Sequence, residues 1–115
     1  MDANSTAGRK ELIRKYKERK PQQGAFAVRC KITGQVWVGT SPNLGTAQNR
    51  IWFGLRANGY PDKNLQAEWS AHGEPAFEYE ILEMLDEDVN PLAVGDQLKE
   101  FKRRWMEQLG ARALL

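Results

Sequence analysis

GAFAVRCKITGQVWVG, residues 24–39, is the stretch that decides the fold. Phe26, Val28, Cys30 and Ile32 alternate with Ala27, Arg29 and Lys31, a turn follows at Thr33-Gly34, and Val36, Trp37 and Val38 resume an extended run. Alternation with period two sends successive side chains to opposite faces of a strand, and a turn glycine tolerates positive φ, so the segment reads as a β-hairpin. A two-stranded hairpin is not stable alone and needs a further strand or packed helices over its apolar face. On this alternation Trp37 faces the other way from Val36 and Val38, where a flat aromatic can stack a base or pack against a helix.

The 115 residues suit a single domain, and 41% hydrophobic with 28% charged residues is the balance of a globular protein rather than of a fibrous or disordered chain. No apolar run approaches the roughly 20 residues of a membrane span, and the start of the chain lacks the apolar core of a secretory signal. A cytoplasmic protein without membrane association is expected. The single cysteine, Cys30, has no partner for an internal disulfide and falls in the apolar phase of the first strand, as a small buried hydrophobe does.

The net charge of +2 conceals a strong asymmetry. Residues 9–20, RKELIRKYKERK, carry seven bases and two acids, whereas residues 78–88 carry six acids and no base. The first block can meet phosphate or serve as the wet side of a helix. Residues 1–8 are small, polar and without periodicity, and are expected to be disordered. In residues 9–21, Leu12, Ile13 and Tyr16 share one side of a basic amphipathic helix that Pro21 stops.

Beyond the hairpin, Ser41 or Asn43 can cap a helix in which Leu44, Gln48, Ile51 and Leu55 recur at helical spacing, with Gly59 as its stop. Asp62 can cap a short second helix anchored by Leu65 and Trp69 and ended by Gly73. Residues 77–81, FEYEI, alternate as a third strand with a wet acidic face. Asn90-Pro91 opens the last helix, along which Val94, Leu98, Phe101, Trp105 and Leu109 fall at steps of four, three, four and four before Gly110. Trp52, Trp69 and Trp105 occupy apolar phases and read as core. The order predicts an α+β domain over residues 22–110, a small, mainly antiparallel three-stranded sheet flanked by helices, with residues 111–115 as a tail.

Several of these pieces stand in a familiar order. Gly24-Ala25-Phe26, Trp37-Val38-Gly39, the following Thr40-Ser41-Pro42-Asn43-Leu44, then Leu65-Gln66-Ala67-Glu68-Trp69, His72-Gly73-Glu74 and the strand beginning at Phe77 together resemble the GIY-YIG nuclease superfamily. The match runs from Gly24 to about Leu109. What the resemblance implies is metal-dependent phosphodiester hydrolysis. A tyrosine from each tripeptide would lie at the active face, an arginine on the first domain helix would stabilise the phosphate, and a glutamate on the last helix would hold a divalent cation.

Carried over position by position, that chemistry is missing. The tyrosine positions hold Phe26, which has no hydroxyl, and Trp37, whose indole N–H only donates. The arginine position is Ala47, a histidine often found one turn later is Ile51, and the metal-ligand position is Lys102, a cation that repels a metal. Arg50 lies nearly one turn beyond Ala47 and can reach the same phosphate. Glu100 lies about 200° around the helix from Lys102.

The reading is therefore a nuclease-superfamily domain that binds nucleic acid, with DNA as the expected partner, no cofactor, and hydrolysis lost. Its candidate contacts are Arg29, Lys31, Trp37, Gln48, Asn49, Arg50, Arg56 and Lys102. The alternative is a divergent Mg- or Mn-dependent endonuclease with a relocated site, in which Arg50, Glu100 and Trp37 are catalytic and Glu100 is the metal ligand. A third is a protein-interaction adaptor in which the basic N-terminal helix and the acidic residues 78–88 meet complementary partners.

Overall fold

The computed structural model describes residues 21–114. Residues 1–8, expected to be disordered, and residues 9–20 of the basic helix expected over 9–21 lie outside the described residues. The hairpin is formed by β1 (Gly24–Cys30) and β2 (Val36–Ser41), which pair antiparallel with Val28 opposite Trp37 and Phe26 opposite Gly39. On its other edge β1 pairs antiparallel with β3 (Phe77–Met84), Val28 opposite Tyr79. A short β4 (Arg112–Ala113) runs parallel to β2, so the sheet has four strands in the order β3-β1-β2-β4 rather than three. The stretch read as a tail thus closes the edge of β2, and Leu114 is buried beyond it.

The two tripeptide glycines have different reasons. A Cβ on Gly24 would stand 2.0 Å from the backbone oxygen of Glu83, because β1 and β3 approach closely beside a register shift at Ala25 and Phe26. A Cβ on Gly39 would stand 2.8 Å from Cζ of Phe26, whose ring occupies the space over the facing strand.

Helix α1 (Leu44–Arg56) starts where the Asn43 side chain accepts from the Gly45 N–H, and α2 (Lys63–His72) where Asp62 accepts from the N–H groups of Asn64 and Leu65. Gly73, at φ 84°, ends α2. A 3₁₀ turn at Pro91–Ala93, capped by Asn90, leads into α3 (Val94–Leu109), which Gly110 closes in the left-handed region.

The core lies between one face of the sheet and the first two helices. Phe26, Val28, Cys30, Trp37 and Phe77 meet Leu44, Ala47, Ile51, Trp52 and Leu55 of α1 and Leu65 and Trp69 of α2. The rings of Trp52 and Trp69 meet edge to face at 5.3 Å, and Trp69 lies 5.2 Å from Phe77. Gln48, placed in the apolar phase of α1 by spacing alone, is exposed, and Ile32 sits exposed in the hairpin turn.

Helix α3 packs along β1 and β2. Ala25, Ala27 and Val38, all fully buried, alternate with the core residues and so face the other side of the sheet. Glu83, opposite Ala25, reaches α3 from that side, accepting from Trp105 Nε1 at 2.8 Å and from Arg104 at 3.2 Å. The sheet is thus covered on both faces. The acidic face of β3 is wet at Glu78 and Glu80, which are exposed, the second paired with Arg29, whereas the half-buried Glu83 fastens the last helix.

Candidate functional site

A cleft of about 280 Å³ opens where β1 begins and β2 ends. Phe26, Thr40, Ser41, Ala47 and Ile51 line it together with Arg50, Tyr60, Lys102 and Leu114. Four positions to which the resemblance assigns chemistry, Phe26, Ala47, Ile51 and Lys102, therefore converge on one surface although they come from three separate elements. Arg50 joins them.

The two cations are held in place locally. Arg50 Nη2 donates to Ser41 Oγ at 3.2 Å; that buried hydroxyl in turn donates to the Asn43 carbonyl and accepts from the Asn43 N–H, both at 3.0 Å. This contact occupies one of the five N–H donors of the guanidinium. Lys102 Nζ donates to the Leu114 carbonyl at 3.3 Å, so β4 and the chain end beyond it orient the ammonium.

Tyr60 enters the cleft because the chain turns sharply after α1. Asn58 takes φ 60°, the Gly59 N–H donates to the Gly54 carbonyl, and the ring settles where Gly54 leaves room, 3.1 Å from an added Cβ. Burial, then the charge of Asp62, raises the Tyr60 phenol above its ordinary 10.0, with Arg50 pulling the other way. Tyr79 donates its hydroxyl to the Leu44 carbonyl at 3.1 Å, supports Phe26 at 5.3 Å between rings, and is likewise raised by burial. Neither phenol is a base at neutral pH.

The raised phenols have a measurable consequence. A proton held more tightly in the folded state contributes stability that is complete below the unfolded value of 10.0 and is lost as pH rises through the folded value. Urea midpoints taken between about pH 8 and pH 11 are expected to fall less steeply for Tyr79→Phe than for the parent. Parallel losses in the two proteins would assign the alkaline sensitivity to other groups.

The remaining sequence candidates are not gathered here. Trp37 is fully buried, its indole N–H donates to Asn64 Oδ1 at 2.9 Å, and its ring lies 6.3 Å from Phe77. This corrects its assignment both as a stacking platform and as a catalytic group, because no face of it is open to a base. Arg29 is paired with Glu80, and Arg56 makes two bonds of 2.8 Å to Glu74, which hold that carboxyl below its usual range. Lys31 follows β1 at the end of the sheet away from Phe26. Gln48 and Asn49 are exposed on α1 outside the cleft lining.

Glu100 is exposed and tied to Arg103, whose hydrogen bonds lower its carboxyl, and it does not line the cleft. The residues present do not fit the divalent cation that the fold family implies. The lining contains two cations and no carboxylate, and among the described residues no three His, Cys, Asp or Glu side chains come together as a metal site. What the arrangement offers is anion binding by two cationic donors beside hydroxyl groups.

Ser41 and Tyr60 were missed as site residues by sequence reasoning. Ser41 reads there only as a helix cap, and the signal for Tyr60 is indirect: a glycine within a helix, six residues before a tyrosine that follows Asn58-Gly59.

Solved structures with this architecture exist. The catalytic domain of the homing endonuclease I-TevI, a GIY-YIG nuclease, superposes with a TM-score of 0.67 at 21% identity, covering 81% of this chain and 98% of that one. A mutant form of the catalytic domain of the intron endonuclease I-TevI gives 0.65 at 21% identity, over 77% and 84% of the two chains. No protein-family model matches the sequence, and no curated protein does. The chain has the GIY-YIG nuclease fold. Among the described residues, no helix is long and apolar enough to cross a membrane.

Proposed function

We propose that this chain is a nucleic-acid-binding domain built on the GIY-YIG nuclease fold, with DNA as its ligand and phosphodiester hydrolysis lost. The observation that carries this reading is the cleft itself. At the convergence of the family's catalytic positions stand Phe26, Ala47, Ile51 and Lys102, with Arg50 beside them. Two cations with no carboxylate bind a phosphate well and activate water poorly: phosphate oxygens accept from Arg50 and Lys102, while the lining holds no general base whose proton affinity suits neutral pH. The seven basic residues at positions 9–20 add attraction for the backbone without adding chemistry.

The test is binding and cleavage in one set of reactions. End-labelled single-stranded, duplex and branched DNA, titrated with protein in Mg²⁺ or Mn²⁺ from about 50 mM to 200 mM salt, is expected to shift intact, with affinity falling steeply as salt rises. Affinity indifferent to salt, or absent at the lowest salt, would remove the phosphate-binding reading. Chelator-sensitive cutting that Glu100→Ala abolishes would instead establish the relocated endonuclease site.

A further inference from the structure

Among the described residues one aromatic side chain is exposed: Phe53, at 73%. Helix α1 buries Leu44, Ala47, Ile51, Trp52 and Leu55, and at about 100° per residue Phe53 points nearly opposite to Leu44, Ile51 and Leu55. Among the described residues, no packing contact explains a phenyl ring there. Its neighbours on the helix surface are Arg50, three residues before it, and Asn49, four before it, separations that set Cβ atoms about 5–6 Å apart. Arg50 in turn lines the cleft, and α1 carries no acidic residue at all. A flat apolar ring beside a cation on a helix free of acids is the pairing that single strands use, one group for the base face and one for the phosphate.

We infer that Phe53 is a base-stacking platform that gives the cleft a preference for single-stranded nucleic acid. An unpaired base lies on the ring, Asn49 faces its edge, and the adjoining phosphate enters the cleft at Arg50 and Lys102. In a duplex the base faces are stacked on one another, so the ring finds no partner. This inference rests on the phosphate-binding reading of the cleft.

Fluorescence anisotropy tests it with three labelled probes of equal length: oligothymidylate, an abasic strand of the same charge, and a duplex. Phe53→Ala is expected to weaken oligothymidylate binding roughly 5- to 100-fold while leaving the abasic strand and the duplex within about twofold, and Phe53→Trp to retain the parent affinity. Thermal melting of each variant reports the fold independently. Oligothymidylate affinity unchanged in Phe53→Ala, or lost in proportion on the abasic strand, would overturn the platform. If Arg50→Ala still weakens all three probes, the phosphate-binding reading survives that result. A parent protein that binds none of the probes removes both.

Discussion

Reversing both cleft charges, Arg50→Glu with Lys102→Glu, is expected to lower DNA affinity about 100-fold or more at low salt, since each exposed charge contact contributes from about 1 kcal/mol in water to several where water is partly excluded. The log–log salt slope should also become shallower by about two units, one for each phosphate contact removed. Each single substitution should give part of the loss. The structural cost is small: Arg50 is exposed and loses one bond to Ser41, and Lys102 loses one to the Leu114 carbonyl. Bonds of this kind contribute about 1 kcal/mol each. Lys102→Gln, which keeps a donor for that carbonyl while removing the charge, separates docking of the chain end from phosphate attraction. Affinity and slope that survive the double reversal would place the nucleic-acid surface elsewhere.

Trp37→Ala is expected to destabilise the fold by about 3–5 kcal/mol, the range for truncating a large buried aromatic. That is a large part of the roughly 5–15 kcal/mol by which a domain of this kind is stable. The indole is wholly enclosed, packs on Phe77, and carries one bond to Asn64 that ties β2 to the first turn of α2. Trp37→Phe keeps most of the apolar area and should cost less, the remainder being the lost bond and a partly filled void. Urea unfolding measures both variants. DNA binding by the folded Trp37→Phe protein should match the parent, because the ring touches no solvent. A loss below about 1 kcal/mol in Trp37→Ala would mean that the side chain is not a core anchor.

The second tripeptide shows why one stretch of sequence was read correctly as structure and incorrectly as site. Alternation put Trp37 on the face opposite Val36 and Val38, and the register confirms it. It did not reveal that helices cover both faces, so that Trp37 and Val38 are equally buried. The cationic candidates divide for a similar reason. Arg29 and Arg56 look as available as Arg50 in the sequence, yet strand register brings Glu80 to the first and chain reversal after α2 brings Glu74 to the second. Lys102, which the resemblance sets at the metal-ligand position because it lies three residues before Trp105, lines the cleft.

What the sequence by itself determined is the set of local decisions. The hairpin, the third strand, the caps at Asn43 and Asp62 and the stops at Gly73 and Gly110 each depend on side chains within a few residues of the backbone they satisfy. The ordered tripeptides added the fold. Only the tertiary structure decided which cations stand in a common cleft, that Tyr60 and Ser41 stand there with them, and that residues beyond Gly110 complete the sheet. Those outcomes depend on groups far apart in the chain. Periodicity specifies which way a side chain points, but burial and ion pairing depend on what another element places opposite it.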